Sequence, residues 1–273
     1  MKKIWSVASL IIFAGALLFV ASLPKMPIRA DDKDSEIIVE TENPQISIEA
    51  TEDKIISESP YVELTEEDVY SFFQTTHAYW QDKPYSGEWC YMEIDGNPFA
   101  EFGCGLCCMA NIYDTLSPYE VSPLDMYKYA REVSNYSPNG EVAAIGWGDI
   151  KATLEACGMD CELQTKPYTY AEFQKQIEEC QTAIVLVCSA NDDTYWEKTV
   201  GHYVNIGLYD KETDTVFLSD PGKIAHNRQR IPLRYVYDAL KTGSSYQFLT
   251  VDQYIEKENQ WKADGITENW IRP

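Results

Sequence analysis

The spacing of hydrophobic residues changes character along the chain. Residues 4–23 are almost entirely apolar, whereas residues 31–68 carry only scattered isoleucines among many acidic residues. From about residue 69 the apolar positions recur at helical intervals, and beyond residue 180 they form short continuous runs that are typical of buried strands. The pattern therefore predicts a folded part that is helical first and β-rich afterwards.

The helical part is predicted to begin at Thr65, an N-cap residue followed by three acidic residues in the first turn. Further along, Met109, Ile112 and Leu116 repeat at helical spacing, and Ser122-Pro123 is a typical helix start. The predicted helices cover residues 65–73, 105–115, 122 to beyond 130, 147–156 and 170–180. The stretch 81–102 is rich in Gly, Pro and aromatic residues, and it is predicted to be a long irregular loop of the kind that often carries function.

The second part is predicted to be β-structure. Residues 183–188 form a continuous apolar run, and residues 201–208 and 215–219 flank a polar turn that would join them as an antiparallel hairpin. A short helix at 234–240 and a last strand at 246–251 complete the pattern. Helices followed by strands predict an α+β fold in which one antiparallel sheet packs against a helical half.

Residues 1–30 are predicted to be a signal peptide or a signal anchor. Lys2 and Lys3 precede the apolar run, whose ~20 residues are enough to span a bilayer. A small-residue site at 20–22 would permit cleavage, and retention as a membrane anchor is the alternative. Either outcome predicts a secreted or extracytoplasmic protein that meets a membrane only through this segment.

Residues 31–60 are predicted to be an acidic disordered spacer or pro-segment, and residues 61–273 to be the folded domain. Residues 31–68 contain fourteen acidic residues and two lysines, so self-repulsion favours an extended chain. The whole chain has a net charge of −22, of which residues 69–273 carry −14. No basic patch offsets this charge, which excludes nucleic acid and anionic lipid as general partners.

The chain has eight cysteines and three histidines. In an exported protein an even number of cysteines predicts disulfides. Zinc binding is disfavoured, because Cys107 and Cys108 are adjacent with no C-x-x-C pair downstream, and Cys157 and Cys161 have no histidine nearby. No metal or organic cofactor is expected.

One cysteine stands where a nucleophile is expected. Cys104 lies between two glycines directly before a predicted helix, where unsatisfied N–H groups and the helix dipole favour a thiolate. The two glycines would let a substrate backbone approach closely. The alternative is that Cys104 takes part in a disulfide.

His202 is the candidate general base, since it opens the apolar run 201–208. The hairpin returns to the same end of the sheet with Asp220, so the carboxylate can face the imidazole and orient it, as in a catalytic triad. His77 precedes the aromatic loop and His226 follows the Asp220 turn, and both are interpreted as surface residues.

Three segments carry a resemblance to a known family: Gly103-Cys104-Gly105-x-x-x-x-Ala110, Gly201-His202-Tyr203-Val204-x-Ile206-Gly207-x-Tyr209-Asp210, and Asp220-Pro221. In order and spacing they resemble papain-like cysteine peptidases of the bacteriocin-leader-processing type (cysteine peptidase family thirty-nine), in particular exported relatives. The resemblance covers about residues 74–249. It implies a papain-like fold in which Cys104 is the nucleophile, His202 the general base and Asp220 the orienting acid.

The resemblance also implies a glutamine that stabilises the oxyanion together with the backbone N–H of the nucleophile. Gln74 is the choice, because Phe73-Gln74, Trp80 and Pro84-Tyr85 are similar to the aromatic-Gln, Trp and Pro-Tyr stretch of the exported relatives. Gln81 and Asn97 are alternatives.

An alternative register is open within the same segment. The spacing of papain itself would place the oxyanion residue on Pro98, which has no side-chain amide. Cys104-Gly105-Leu106-Cys107 also fits the C-G-x-C pattern of papain, which would make Cys107 the nucleophile and Cys104 a disulfide partner.

The sequence thus predicts an exported thiol peptidase that cleaves a peptide or protein substrate through Cys104, His202, Asp220 and Gln74, without a cofactor. Two alternatives use the same scaffold. One is an acyl transferase of transglutaminase-like type, and the other is a catalytically inactive peptidase-like binding module at the cell surface. The substrate, the cleavage specificity and the oligomeric state stay open.

Overall fold

The structure, a computed structural model, describes residues 63–76, 79–80, 83–139, 143–189 and 195–263. These residues belong to one compact unit, Ile56–Pro273. The predictions for residues 1–30 and 31–60 lie outside the described residues, as do those for His77 and Gln81. No helix within the described ranges has the length and the apolar character needed to cross a membrane.

Six α-helices are described, and five of them follow the predicted ranges closely. They are α1 (Phe99–Phe102), α2 (Cys104–Leu116), α3 (Pro123–Ser134), α4 (Trp147–Ala156), α5 (Tyr170–Glu178) and α6 (Leu233–Ala239), with 3₁₀ turns at Glu88–Tyr91 and Glu256–Glu258. Capping boxes at Ser122 and Thr169 fix the starts of α3 and α5. The helix predicted at 234–240 is α6.

Ten strands are described. They are β1 (Tyr79–Trp80), β2 (Lys83–Pro84), β3 (Glu93–Ile94), β4 (Asn97–Pro98), β5 (Met159–Gln164), β6 (Thr182–Val187), β7 (His202–Asp210), β8 (Thr215–Ser219), β9 (Gln229–Pro232) and β10 (Phe248–Tyr254). Six of them form one sheet in the order β5-β10-β6-β7-β8-β9, and every neighbouring pair is antiparallel. The predicted hairpin is β7–β8.

The sheet is covered by helices on both faces. Ile184 and Leu186 of β6 face the core formed with α2, α3 and α4, whereas Val185 and Val187 face the core formed with α5 and α6. Two-sided burial explains why β6 reads as a continuous apolar run. The α+β class with an antiparallel sheet is confirmed, and the structure adds the second helical layer.

The helix predicted at 65–73 is wrong. Thr65 and Asp68 do form a capped turn, in which Thr65 N and Oγ1 both donate to Asp68 Oδ2. Beyond it, the N–H of Tyr70 donates to Thr115 Oγ1 and that of Phe72 to Asn111 Oδ1, both on α2. Because side chains of another element take these N–H groups, the segment runs along the domain without an internal helical ladder.

Two further differences concern short elements. The predicted loop 81–102 contains β2, β3, β4, a 3₁₀ turn and α1. Strands β5 and β9 were not predicted, and both are edge strands with polar residues in their sequences, MDCELQ and QRIP. Edge strands bury less of their surface, so their hydrophobic signal is weak.

Candidate active site

Cys104 is the first residue of α2. Its thiol belongs to a side chain that is 6% exposed, and the helix continues into the core between the sheet and α3. Gly103 adopts a helical φ of −72° and joins α1 to α2. As the first residue of α2, Cys104 has a backbone N–H with no acceptor inside that helix.

The two glycines that flank Cys104 accommodate the protein's own side chains. A Cβ atom on Gly103 would lie 2.2 Å from the ring of Phe99, and one on Gly105 would lie 2.5 Å from Ile145 Cγ2. These glycines therefore have a packing role, and their role in admitting a substrate backbone stays a prediction. Any side chain at either position would collide with this packing.

All eight cysteines are free thiols, so the predicted disulfides are wrong. Cys104 is not in a disulfide, which removes the main alternative to its role as a nucleophile. Cys107 and Cys108 are fully buried, as expected for residues one turn further along α2. Burial raises the pKa of both thiols well above their usual range, with smaller contributions from neighbouring cysteine thiols and, for Cys108, from Asp220. The full burial of Cys107 argues against the register that makes it the nucleophile.

The structure brings His202, at the start of β7, together with Asp220, directly after β8. His202 Nε2 lies 2.7 Å from Asp220 Oδ1. The Cys104 thiol acts on the same imidazole through a side-chain hydrogen bond and through its charge. Because Asp220 occupies Nε2, Nδ1 is the ring nitrogen left for the thiol.

Asp220 is fully buried, and donors surround its carboxylate. Oδ1 accepts hydrogen bonds from the backbone N–H groups of Gly222 at 2.9 Å and Lys223 at 3.1 Å, besides its contact with His202. Oδ2 accepts one from Trp196 Nε1 at 3.3 Å. The Asp-Pro-Gly turn thus holds the carboxylate in a fixed orientation.

The pKa values of the pair move in opposite directions. Burial acts to lower the pKa of His202, but the charge and hydrogen bond of Asp220, with a smaller contribution from Cys104, raise it to about 10. Burial acts to raise the pKa of Asp220, but His202, His226 and the Gly222 N–H hold it well below its usual range. The geometry therefore favours an imidazolium beside a carboxylate.

Gln74 lies between the two halves of the site. Its backbone N–H donates to Pro221 O at 3.0 Å, next to Asp220, and its Nε2 donates to Ala100 O at 2.5 Å. Ala100 lies four residues before Cys104, so this hydrogen bond anchors the Gln74 amide to the segment that leads into the start of α2. Its Oε1 is buried without a hydrogen-bond partner among the described residues.

Sequence reasoning missed the contacts that His226 and Trp196 make with Asp220. His226 is not a free surface residue, since its Nδ1 lies 3.4 Å from Asp220 Oδ2 and its ring stacks on Tyr195 at 4.1 Å. Trp196 is fully buried and donates to the same oxygen. The only sequence signal was the position of His226 six residues after Asp220.

Other predicted residues lie elsewhere. Asn97, an alternative to Gln74, donates its amide to Asp95 O and Pro138 O. Trp147 packs edge-on against Tyr203, the residue after His202, at 5.0 Å. Cys157 and Cys161 are buried, and the described residues contain no group of three or more His, Cys, Asp or Glu side chains that could hold a metal ion.

No protein-family model matches the chain, and no curated protein matches it significantly. The function proposed below therefore rests on the geometry of this site and on the three sequence motifs.

Proposed function

We propose that the chain is a papain-like cysteine peptidase that hydrolyses peptide bonds. The observation that carries this proposal is one imidazole between a thiol and a buried carboxylate: His202 has Asp220 at 2.7 Å on Nε2 and interacts with Cys104. These residues come from the start of α2, the start of β7 and the turn after β8. Nucleophile, base and orienting acid are the roles that such a triad supplies.

In the proposed acylation step, His202 takes the proton of the Cys104 thiol, and the sulfur attacks the carbonyl carbon of the scissile bond. The negative charge that develops on the carbonyl oxygen is stabilised by the backbone N–H of Cys104 and by the Gln74 amide. His202 then gives its proton to the leaving nitrogen, the C–N bond breaks, and the first product departs as an amine.

Deacylation reverses these roles. Water replaces the amine, His202 removes a proton from the water as it attacks the thioester, and the C–S bond breaks to release a carboxylic acid. Asp220 stabilises the imidazolium in both steps and holds the ring so that Nδ1 faces the sulfur. The raised pKa of His202 supports its charged resting state.

We further propose that residues 1–30 direct export, so that the peptidase acts outside the cytoplasm. The acidic segment 31–60 would then separate the peptidase domain from residues 1–30. The basic head and apolar run support the first point, and the fourteen acidic residues of 31–68 support the second.

Hydrolysis of an internally quenched peptide library by the purified protein tests the proposal. We expect cleavage by the wild-type protein, its loss in Cys104→Ala, and its retention in Cys108→Ala, a matched change one turn along α2. Undiminished hydrolysis by Cys104→Ala would contradict the proposal. Binding of peptides without any cleavage would favour the inactive module, and incorporation of added amines in place of hydrolysis would favour an acyl transferase.

A further inference from the structure

A lysine side chain lies over the backbone beside the proposed base. A Cβ atom added to Gly201 would be 2.8 Å from Lys241 Nζ and 3.4 Å from Lys241 Cδ. Gly201 directly precedes His202 and is exposed. The ammonium group of Lys241 therefore lies against the chain next to the site where His202 meets Cys104.

The fold brings Lys241 to this place from two strands away. Val187, at the end of β6, pairs with His202 on one side and forms an isolated bridge with Leu240 on the other. Since neighbouring strands are about 4.8 Å apart, the backbones of residues 201 and 241 are separated by the width of β6. The long side chain of Lys241 crosses that width.

The backbone of Lys241 is held firmly. Its N–H donates to Leu186 O at 2.9 Å, and its carbonyl accepts hydrogen bonds from Ser244 N at 3.1 Å and Gln247 Nε2 at 3.4 Å. Ser244 Oγ also accepts a hydrogen bond from Trp147 Nε1, and Trp147 packs on Tyr203, the residue after His202. The loop that carries Lys241 and the strand that carries His202 therefore share one support.

Lys241 has no ion-pair partner among the described residues, although the folded part of the chain is strongly acidic. Its neighbour across Gly201 is Val200, an apolar residue that is 86% exposed. Within the described part of the chain, the surface next to the proposed base thus carries a cation with no paired carboxylate and an exposed apolar side chain. A substrate carboxylate would supply the missing charge.

Resting on the proposed peptidase activity, we infer that Lys241 is a specificity-determining residue that selects peptides with an acidic side chain within about two residues of the scissile bond. Attraction of a carboxylate to Lys241 would also reduce the repulsion between the acidic domain and such a substrate. The preference is expected to weaken at 1 M salt, where the screening length is about 3 Å.

The test compares kcat/KM for peptides that differ only in Asp, Asn or Lys at each position around one cleavage site. Wild-type protein is expected to prefer Asp over Lys at one position by about fivefold, as for a partly exposed ion pair. Lys241→Met should remove the preference, and Lys241→Glu should reverse it. Lys211→Glu, which makes the same change in net charge at the far end of β7, should leave the preference intact.

Hydrolysis of the Asn peptide separates this inference from the function on which it rests. If the Asn peptide is cleaved in a Cys104-dependent way but no position prefers Asp, or if Lys241→Glu keeps the preference, the role of Lys241 is overturned while the peptidase stands. If no peptide is cleaved and Cys104 does not react with a peptidyl chloromethyl ketone, both are overturned.

Discussion

The first and second turns of α2 carry three cysteines in contrasting surroundings. Cys104, in the first turn, lies beside the His202 imidazole. Cys107 and Cys108, in the second turn, are fully buried, and the groups that raise their pKa besides burial are other cysteine thiols and, for Cys108, Asp220. One helix therefore carries one thiol next to an imidazole and two thiols in the apolar core.

This contrast shows that a helix start does not by itself make a nucleophile. The helix dipole weakens within the first turn, and burial without a cation favours the neutral thiol. The imidazole distinguishes Cys104, and Asp220 keeps that imidazole charged and oriented. In the proposed mechanism, the reactivity of Cys104 depends on three groups that the fold brings together, the thiol, the imidazole and the carboxylate, and each can be substituted separately.

The largest expected effect is the loss of the nucleophile. Cys104→Ala should lower kcat/KM for peptide hydrolysis by about a thousandfold or more, because no group is left to form the acyl intermediate. Cys108→Ala should stay within about threefold of wild type when assayed well below its unfolding temperature. Equal losses in the two variants would mean that the first turn has no special role.

The next largest effect is expected for the orienting acid. Asp220→Asn keeps the size of the side chain but removes the charge that stabilises the His202 imidazolium. We expect kcat/KM to fall by about a hundredfold, with a smaller change in KM. Steady-state kinetics measure both, and circular dichroism spectra that match the wild type would establish that the variant is folded. A variant with wild-type kcat would contradict the assigned role.

The pH dependence should follow the raised pKa of His202. Because Asp220 raises that pKa to about 10, the imidazolium persists into alkaline solution and is lost as the pH rises through about 10. The value of kcat/KM should therefore fall on the alkaline side of the pH profile. In Asp220→Asn the fall should move to lower pH, towards the ordinary value for histidine of about 6.5. An unchanged pH profile in Asp220→Asn would show that a group other than His202 causes the alkaline fall in kcat/KM.

A smaller effect is expected for His226, which lies near Oδ2 of Asp220, whereas His202 contacts Oδ1. His226→Phe keeps an aromatic ring against Tyr195 but removes the nitrogen that lies 3.4 Å from Asp220 Oδ2. Because Trp196 and the turn still hold the carboxylate, we expect kcat/KM to fall only about threefold. His226→Ala, which also loses the ring, should fall further. If kcat/KM of His226→Phe fell as far as that of Asp220→Asn, His226 would belong to the catalytic group.

The smallest effect on activity is expected in the second turn. Cys107→Ser places a hydroxyl in a fully buried apolar position and should reduce the free energy of unfolding by about 1–3 kcal/mol. The alkylation rate of Cys104 should remain that of the wild type. Urea unfolding measures the free energy of unfolding, and thiol labelling measures the alkylation rate of Cys104. Slower alkylation of Cys104 with an unchanged free energy of unfolding would contradict the expectation.

Local patterns in the sequence predicted most of the fold. The apolar run at β6, the hairpin β7–β8 and the starts of α2 and α3 carry strong short-range signals, such as two-sided hydrophobicity and a capping box. The helix expected at 65–73 failed because its N–H groups bind side chains on α2, a long-range contact that no local pattern contains. Disulfides were predicted from the even number of cysteines in a chain expected to be exported, and no local pattern tested that prediction.

Only the site residues that lie in local sequence motifs could be predicted. Cys104, His202 and Asp220 have local signals in a helix start, a strand start and a turn after a hairpin. The contact of His226 with Asp220 and the approach of Lys241 to Gly201 depend on how loops fold over the sheet. Such contacts come from tertiary packing, so single-sequence reasoning gave His226 a surface position.

The most direct test of the central claim is the alkylation rate of every thiol in the native protein, measured with iodoacetamide at neutral pH and mapped by mass spectrometry. The account predicts that Cys104 reacts first among the eight cysteines and that His202→Ala slows Cys104 by at least about tenfold without changing the others. Faster reaction of any other cysteine, or a Cys104 rate that is indifferent to His202, would contradict it.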